Sequence, residues 1–394
     1  MKRLVVLVSL LSMGFVLPTH AQDSEFRLYG FVMMDAGYDF MQTDPLWFDV
    51  IRTTKLPAFE DQFGEDGNTY FSVRQTRFGV RTASPTDIGT VRTQFEWELF
   101  GTGVDAGQTT LRLRHAYGEL GKVGAGQTWS PFMDIDVFPN TVEYWGPPGM
   151  AFFRNVQVRY MPIQGDTRMT IALERPGASG DQGDYAGRVE LADIRPHFPL
   201  PDLSAEYRRA TGFGYVELAG IVRWIEWDDA GTDSLDLAGD AVGWGLNLSS
   251  NIKFRDDNDV LRLSVLYGEG VENYMNDAPA DIGIVPNPGS TLTPIEGEAL
   301  PVMGIVAFLD HVWNDKFASS VGYSMIDIDN SEGQAASAFH RGHYAIGNLI
   351  YYPTEDVMTV MELQYGKREN FEDDFTSEDV RLQFSFKYNF STEL

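Results

Sequence analysis

The sequence predicts an all-β chain that closes into a transmembrane antiparallel β-barrel of 16 strands. Three observations predict this fold: an alternating last strand, an even strand count, and connections that are alternately short and long. In the last strand, 380–390, every even-numbered residue is apolar or aromatic and every odd-numbered residue is polar. Because side chains in a strand alternate between two faces, one face is apolar and the other is polar. A strand with lipid on one side and water on the other needs this pattern over about 9–11 residues.

The apolar face of this strand carries four aromatic rings in succession, those of Phe384, Phe386, Tyr388 and Phe390. An edge or sandwich strand of a soluble protein can alternate in the same way, but it rarely places so many aromatic rings on one face. The pattern therefore favours contact with lipid.

Residues 1–21 have the features of a secretory signal peptide. Lys2 and Arg3 precede an apolar stretch at 4–17, and Thr19-His20-Ala21 forms a small-x-Ala cleavage site. We therefore assign 1–21 to a signal peptide and 22–394 to one barrel domain. Cleavage removes two of the 30 Lys and Arg residues, so the formal charge of the chain changes from −27 to −29.

Composition excludes several classes of protein. After the signal peptide, no window of about 18 apolar residues remains, which excludes helical membrane spans. The acidity of the chain argues against nucleic acid as a partner, since phosphate binding needs a basic surface. The sequence has no cysteine, so stability must come from a closed, hydrogen-bonded sheet instead of disulfide bonds. Nothing in the sequence indicates a cofactor.

The strands of the amino-terminal half follow from the same alternation. The clearest is 88–100, in which Val91, Phe95 and Trp97 share one face while Arg92, Gln94, Glu96 and Glu98 share the other. In strand 108–120, Leu111, Leu113 and Tyr117 are predicted to lie on the face opposite Arg112 and Arg114. The predicted strands of this half are 26–40, 70–82, 88–100, 108–120, a short strand that ends near 129, 151–161 and 166–175.

The carboxyl-terminal half supplies nine more strands. They are separated by acidic or Pro- and Gly-rich segments, of which 269–299 is the longest, and the loop 176–201 is predicted to hold a short strand at 187–194. The predicted strands are 203–210, 214–227, 241–254, 260–268, 302–309, 317–326, 343–352, 357–367 and 380–390.

Short and long connections alternate along the whole chain. A soluble sandwich has no reason to place all its long loops at one end, whereas an outer-membrane barrel has short turns at one end and long loops at the other. A count of 16 is even, as single-chain bacterial barrels require, and it leaves room for an aqueous lumen.

Five motifs resemble those of a known family. They are Y-G-F-V-M-M-D from Tyr29, R-Q-T-R-F-G from Arg74, G-Q-T-W-S-P-F from Gly126, F-P-N-T-V-E-Y-W-G-P from Phe138 and V-Q-V-R-Y from Val156. Together they resemble the DcaP-like trimeric outer-membrane porins, most strongly over 29–160. The resemblance implies a 16-stranded homotrimeric diffusion channel in the outer membrane of a Gram-negative bacterium, with a preference for small anions, dicarboxylates in particular.

The charges on the inner face are the candidate selectivity residues. Between Arg74 and Arg168 the chain has nine arginines and one lysine. Arginine suits carboxylates because its planar fork binds them bidentately and keeps its charge, and rings of basic residues suit anion pores. The alternative is that the arginines only offset Glu96 and Glu98 within the wall. By parity, the residues predicted to face the lumen are Arg77, Arg81, Arg92, Gln94, Glu96, Arg112, Arg114 and Arg159.

The segment 130–150 is the third long connection and is predicted to fold into the lumen. It contains several prolines and shows no alternation. Asp134 and Asp136 would then face an arginine wall and create a transverse field across a constriction. The alternative is an external loop packed over the mouth of the barrel.

Other polar groups give weaker signals. The acidic outer loops could bind divalent cations that bridge to lipopolysaccharide, or they could simply be a solvated surface. His340-x-x-His343 has a metal-like spacing without a third ligand nearby, and no G-x-S-x-G motif occurs. His115 is predicted to lie on the lipid-facing side without a partner. An enzyme is therefore not indicated.

The sequence thus predicts an outer-membrane porin whose partners are small anionic solutes, outer-membrane lipid and lipopolysaccharide, and two further copies of the chain. Two other functions stay open. One is a channel for neutral or hydrophobic solutes, which would need a plug or a side opening, and the other is a structural or adhesive barrel. Conductance of a single channel would distinguish them.

Overall fold

The computed structural model describes residues 24–255 and 258–393. The predicted signal peptide, 1–21, lies outside the described residues. Within the described part the chain forms β-strands and short 3-10 turns, and no helix there is long and apolar enough to cross a membrane.

The strands are numbered in chain order and are separated by turns and loops. They are β1 (Glu25–Asp39), β2 (Asn68–Ser72), β3 (Arg77–Thr86), β4 (Gly89–Phe100), β5 (Thr109–Leu120), β6 (Val123–Trp129), β7 (Arg154–Ile163), β8 (Arg168–Glu174), β9 (Ile194–His197), β10 (Asp202–Thr211), β11 (Gly214–Asp229), β12 (Gly239–Phe254), β13 (Asp259–Glu269), β14 (Ile282–Pro286), β15 (Ile295–Ala299), β16 (Pro301–Asn314), β17 (Phe317–Ile328), β18 (Phe339–Thr354), β19 (Val357–Asn370) and β20 (Thr376–Glu393). The 3-10 turns are Pro45–Trp47, Thr53–Lys55, Gly103–Asp105, Ile135–Val137, Gly183–Tyr185, Val189–Leu191 and Glu272–Tyr274.

Eighteen of these strands form one antiparallel sheet that closes when β1 pairs with β20. Two of the eighteen are short strands that extend the line of another strand, so they do not add to the number of strands around the barrel. The short strand β2 pairs with β1 beyond the end of β3, and β9 pairs with β11 beyond the end of β10. The remaining positions make a closed barrel of 16 strands, which confirms the predicted fold class and strand count.

The connections alternate in length as predicted. At one end of the barrel, consecutive strands are joined by tight turns such as Gly121-Lys122, between β5 and β6, and Asp315-Lys316, between β16 and β17. At the other end the long connections include 40–67, 130–153, 175–193 and 270–300. This asymmetry is that of an outer-membrane barrel.

The two faces of the wall differ in polarity. On β20, Phe384 and Phe386 are 43% and 39% exposed, whereas Gln383 and Ser385, which alternate with them, are 0% and 1% exposed. On β4, Phe95 is exposed while Glu96 and Glu98 are buried. The apolar side chains therefore point away from the barrel and the polar side chains into it, which confirms the parity predicted for these two strands.

Three details of the strand prediction were wrong. The predicted strand 70–82 is divided into β2 and β3, because the chain leaves the sheet at Val73–Thr76 to bury the Arg74 side chain against Asp49. The predicted short strand 187–194 contains a 3-10 turn, and the strand lies later, at β9. The predicted loop 269–299 contains the hairpin of β14 and β15.

Three long connections pack together against inward-facing side chains of the wall. We call them the first (40–67), second (130–153) and third (270–300) inner segments. Their side chains form one hydrophobic cluster with residues of the strands, including Ile51 of the first segment, Phe132 of the second, Tyr274 of the third, and Ala219 and Leu266 of the wall. The second segment also bonds to distant strands, since its backbone accepts hydrogen bonds from Asn247 and Asn251 of β12 and Asn348 of β18.

The seam between the first and last strands has its own polar core. Asp35 of β1 is 1% exposed and accepts hydrogen bonds from Ser385 at 2.6 Å and Gln383 at 3.2 Å, both on β20. Gln75 donates to Asp35 at 2.9 Å and to the carbonyl of Val142 at 2.8 Å. The second inner segment is therefore tied directly to the closure seam.

Candidate functional site

The three inner segments and the wall enclose a cavity of about 580 Å³. Its lining combines basic side chains and aromatic rings with two carboxyl groups, those of Glu143 and Glu272. The basic lining residues are Arg52, Arg77, Arg112, Arg114, Arg154 and Lys387, and the aromatic ones are Phe31, Phe138, Tyr144, Trp145, Phe152 and Phe153. A cavity of this size and composition can hold a small anion together with water.

Four arginines of the lining surround one carboxylate. The Glu98 side chain is fully buried and receives Arg112 Nε at 2.9 Å, Arg114 Nη1 at 2.7 Å and Arg77 Nη2 at 3.2 Å. Arg154 Nη2 lies 4.0 Å from the same carboxylate. We call Arg77, Arg112, Arg114 and Arg154 the arginine cluster.

A second carboxylate and a phenol complete the network around the arginine cluster. Arg114 Nε donates to Glu96 at 2.7 Å, and Tyr29 donates to the other oxygen of Glu96 at 2.8 Å. The Tyr144 hydroxyl contacts both Glu98 and Arg112. Four guanidinium groups thus face two carboxylates, so the cluster has an excess of positive charge.

Two donors of the arginine cluster make no hydrogen bond among the described residues, although Arg77 Nε is 3.8 Å from Glu96. In the described part of the chain, Arg154 Nη1 and Arg77 Nε are buried without a hydrogen bond. Lys387 likewise has no ion pair among residues 24–255 and 258–393, and its Nζ lies 4.2 Å from the ring centroid of Phe31. Buried donors without acceptors are costly in an empty protein, and an anionic solute in the cavity would supply acceptors.

A β-bulge in β5 explains why two consecutive residues point inward. The register between β4 and β5 shifts so that Glu96 pairs with His115 while Trp97 pairs with Leu113. Arg114 is the extra residue, and from His115 onward the faces are exchanged. His115 therefore points inward and is buried, with Nδ1 3.0 Å from the Thr128 hydroxyl. The predicted lipid-facing position of His115 was wrong, as was that of Tyr117, which stacks near Arg159 at 5.3 Å.

Four other predicted site residues make no direct contact with the arginine cluster. Arg92 is exposed and pairs in register with Glu119, six residues along the strand from Glu98, or roughly 20 Å at 3.4 Å per residue. Arg81 lies over the ring of Tyr29 at 4.7 Å, and Gln94 donates to the hydroxyl of that tyrosine at 3.0 Å. Arg159 donates to Gln157 at 2.8 Å.

Asp134 and Asp136 lie on the other side of the barrel. Asp134 is buried and accepts hydrogen bonds from Arg208 at 2.5 Å, Tyr215 at 2.6 Å and Ser249 at 2.7 Å. Asp136 also contacts Arg208, but its side chain is 47% exposed. Asp134 is therefore an anchor of the second inner segment, and Asp136 is the carboxylate of this pair that can act on a solute.

Carboxylates outnumber cations around these two aspartates. Arg168 and Arg208 are shared among Asp134, Asp136, Glu206 and Glu217. Asp136 is bonded through its carbonyl to Asn251 of β12 and Arg262 of β13. In the strand order β13 is eight positions from β4 in either direction. The acidic group and the arginine cluster therefore lie on opposite walls.

The second inner segment has another buried anchor in Glu143. Its carboxylate accepts hydrogen bonds from the backbone of Ile51 at 3.1 Å, Trp145 at 3.0 Å and Gly146 at 2.6 Å, and from the Tyr344 hydroxyl at 2.8 Å. Burial raises the pKa of this carboxyl to about 7, although the donors oppose the shift. The contacts fix Tyr144 and Trp145, which border the cavity.

Sequence reasoning missed several lining residues. Arg154 lies at the start of β7, on the parity that points away from the lumen, so alternation gave no signal for it. Arg52 and Trp145 lie in connections, where alternation does not apply. Lys387 was assigned to the polar face of the last strand, but only the structure places it at the same cavity as the arginines.

No group of three or more metal-binding side chains is found among the residues that the structure describes. His340 and His343 contact different partners: His340 Nδ1 lies 2.8 Å from the Ile328 carbonyl, and His343 Nδ1 lies 2.6 Å from the Tyr323 hydroxyl. The geometry of these histidines is therefore that of two separate wall residues.

Comparison with known proteins adds three findings. The model of a family described as DcaP outer membrane protein matches residues 14–390. The outer membrane channel DcaP of Acinetobacter baumannii is similar in structure, with a TM-score of 0.75 and 21% identity over 93% of this chain and 97% of that one. A loop L8 deletion mutant of OmpT, an outer membrane protein of Vibrio cholerae, has a TM-score of 0.56 and 11% identity over 93% of this chain and 99% of the other.

A third structure, OmpF of Salmonella typhi in complex with daunomycin, has a TM-score of 0.51 and 12% identity over 93% of this chain and 97% of the other. At these identities the structural similarities establish the barrel fold. No curated protein sequence matches the chain.

Proposed function

Because the chain belongs to the DcaP outer membrane protein family, a family of Gram-negative outer-membrane channels, we propose that it is a diffusion channel for small hydrophilic anions, dicarboxylates in particular. The observation that carries this proposal is the arginine cluster. Four guanidinium groups and Lys387 line one cavity, and two donors of the cluster, Arg77 Nε and Arg154 Nη1, make no hydrogen bond within the described chain. Such groups bind carboxylates with charge-assisted hydrogen bonds.

The distribution of charge supports the same proposal. The wall at β3, β4 and β5 has an excess of cations, and the wall at β10, β11 and the second inner segment has an excess of carboxylates. A charged solute that crosses the barrel between these walls experiences a transverse field, which orients it and favours contact of its carboxylates with the arginines. Within a narrow pore this field is stronger than in bulk water.

Removal of cationic groups from the cavity tests the proposal. The double variant Arg112→Gln with Arg154→Gln should lower the anion-to-cation permeability ratio about tenfold at low salt, because each charge contributes roughly 1–4 kcal/mol at about 4 Å before screening. The measurement is the reversal potential across a planar bilayer in a gradient of KCl or of a dicarboxylate salt. At 1 M salt, where the screening length is about 3 Å, the conductance should change far less.

Two variants serve as controls for this measurement. Arg92→Gln removes the same charge from an exposed site on β4 and should have a smaller effect on the reversal potential. Asp136→Asn removes a partly exposed carboxylate from the facing wall and should move selectivity the opposite way, toward anions. A folded double variant with the reversal potential of the wild type would show that the arginines are structural and that the anion proposal is wrong.

The same channel is proposed to be a homotrimer. The outward faces of β1 and β20 are adjacent and apolar, with Val32 and Tyr388 each 53% exposed, and they are our candidates for the contact between subunits. Unheated protein in mild detergent should have the mass of three chains by light scattering. A single chain in every detergent and concentration tested would contradict this prediction.

A further inference from the structure

Arg52 of the first inner segment lines the cavity from a different part of the chain than the arginine cluster. Its guanidinium carbon lies 4.3 Å from the ring centroid of Trp47 and 4.0 Å from that of Trp145. The two indole rings are 4.9 Å apart between centroids and inclined at 78°, so they form a corner that covers one side of the guanidinium group. This stacking suits arginine, whose charge is delocalised over a plane.

Asp277 of the third inner segment fixes the orientation of Arg52. It lies 3.0 Å from Arg52 Nε and 2.9 Å from Nη2. The same carboxylate accepts hydrogen bonds from Thr53 and Thr54, including the Thr54 hydroxyl at 2.6 Å. Asp277 is therefore saturated by donors, and it holds one edge of the guanidinium group.

The other edge of Arg52 stays available. Among residues 24–255 and 258–393, its Nη1 donates no hydrogen bond, and this nitrogen is not among the buried atoms that lack a partner. The stacking and the ion pair together leave this group few conformations, so binding of an anion there costs little ordering. Arg52 is a preorganised donor at the cavity.

Two consecutive residues of the second inner segment connect Arg52 with the arginine cluster. The Tyr144 hydroxyl contacts Glu98 and Arg112, whereas the Trp145 ring covers Arg52. The Tyr144 and Trp145 ring centroids are 6.5 Å apart, and both guanidinium sites line the same cavity as these rings. Glu143 fixes this pair through the backbone of Trp145.

We propose that Arg52 is a specificity-determining residue that binds the second carboxylate of a dicarboxylate whose first carboxylate is held by the arginine cluster. The proposal rests on the anion function proposed above and adds a residue and a selection rule to it. A monocarboxylate can use one of the two sites at a time, whereas a dicarboxylate of suitable length uses both. Arg52 therefore discriminates between the two kinds of solute, while the arginine cluster attracts both.

The test compares a dicarboxylate with a monocarboxylate of similar size. In the full-length protein reconstituted in bilayers, Arg52→Gln should lower the permeability of succinate relative to that of propionate about tenfold, the loss expected for one charge-assisted hydrogen bond. The KCl reversal potential should change less, because the arginine cluster is intact. A series from malonate to adipate should show a preferred length in the wild type and none in the variant.

Two further variants separate recognition from structure. Arg368→Gln removes another buried arginine that supports the first inner segment, through the carbonyl of Thr54, but that does not line this cavity; it should leave the succinate-to-propionate ratio unchanged. Arg52→Lys keeps a cation beside Asp277 but lacks the additional guanidinium donors that would bind a carboxylate. It should therefore have a reduced succinate-to-propionate permeability ratio, and it provides the test if Arg52→Gln does not fold.

The possible outcomes have distinct meanings. A wild-type ratio in folded Arg52→Lys or Arg52→Gln would overturn the role of Arg52, and so would an equal fall in Arg368→Gln, which would point to loosening of the segment. A wild-type channel without any preference for anions would instead overturn the proposed function.

Discussion

Glu98→Gln is expected to lower the free energy of unfolding by about 3 kcal/mol. Glu98 is fully buried and is the common partner of Arg77, Arg112 and Arg114. Removal of one member of a buried ion pair costs roughly 3–5 kcal/mol, because the other charge stays buried without compensation. The lower end applies because the Arg77 and Arg112 side chains are partly exposed and can gain water. Urea-induced unfolding in lipid vesicles, followed by tryptophan fluorescence, measures the change.

The matched control for this prediction is Glu119→Gln. Glu119 also faces inward on a neighbouring strand, but it is partly exposed, and its hydrogen bond from Tyr117 is long, at 3.3 Å; its substitution should cost less than about 1 kcal/mol. Glu98→Gln should also raise the anion preference of the channel. Equal stability losses in the two variants would mean that Glu98 does not organise the arginine cluster.

Phe384→Arg is expected to destabilise the barrel by about 2–4 kcal/mol. Phe384 lies near the middle of β20 and faces outward, where a charge meets the centre of the bilayer. The free energy of unfolding in vesicles measures the effect, with Phe384→Leu as the control for loss of the ring alone.

Insertion of the same charge on the inner face provides a second control. Gln94→Arg adds a cation at a partly exposed inward position of β4 and should cost much less than Phe384→Arg. Ser385, although inward, is a poor control because its hydroxyl is buried against Asp35. Equal costs at Phe384 and Gln94 would contradict the assignment of the two faces.

The strands were predictable because their signal is local. Along β4 and β20, side chains face the lipid and the polar interior in turn. About ten residues are enough to show this alternation. The strand ends were less exact: β18 begins at Phe339, whereas the sequence predicted 343. At that outer end the wall contacts loops instead of lipid. The alternation of apolar and polar residues therefore ends before the hydrogen bonds between strands do.

The site was predictable only in part, for two physical reasons. The first is the β-bulge at Arg114, because one inserted residue exchanges the faces of everything beyond it. Parity therefore placed Arg112 and Arg114 correctly and His115 wrongly. No feature of the sequence around His115 indicates where the ladder shifts.

The second reason is that irregular segments have no period. The alternation that places Glu98 gives no position for Arg52 or Trp145, whose contacts depend on which distant segment packs beside them. Asp277 is separated from Arg52 by more than two hundred residues of chain. The selective role of the predicted lumen residues stays a prediction until the reversal potentials are measured.

The polar seam at Asp35 links closure of the barrel to the position of the second inner segment. Asp35 accepts hydrogen bonds from Ser385 and Gln383 of β20, and Gln75, which also donates to Asp35, donates to the carbonyl of Val142 in the second inner segment. Without its pairing to β20, β1 would be an open edge of the sheet, and the carbonyl of Val142 would lose the hydrogen bond from Gln383. A substitution that weakens the pairing of β1 with β20 is therefore expected to loosen the second inner segment as well as the wall, and with it the passage that this segment narrows.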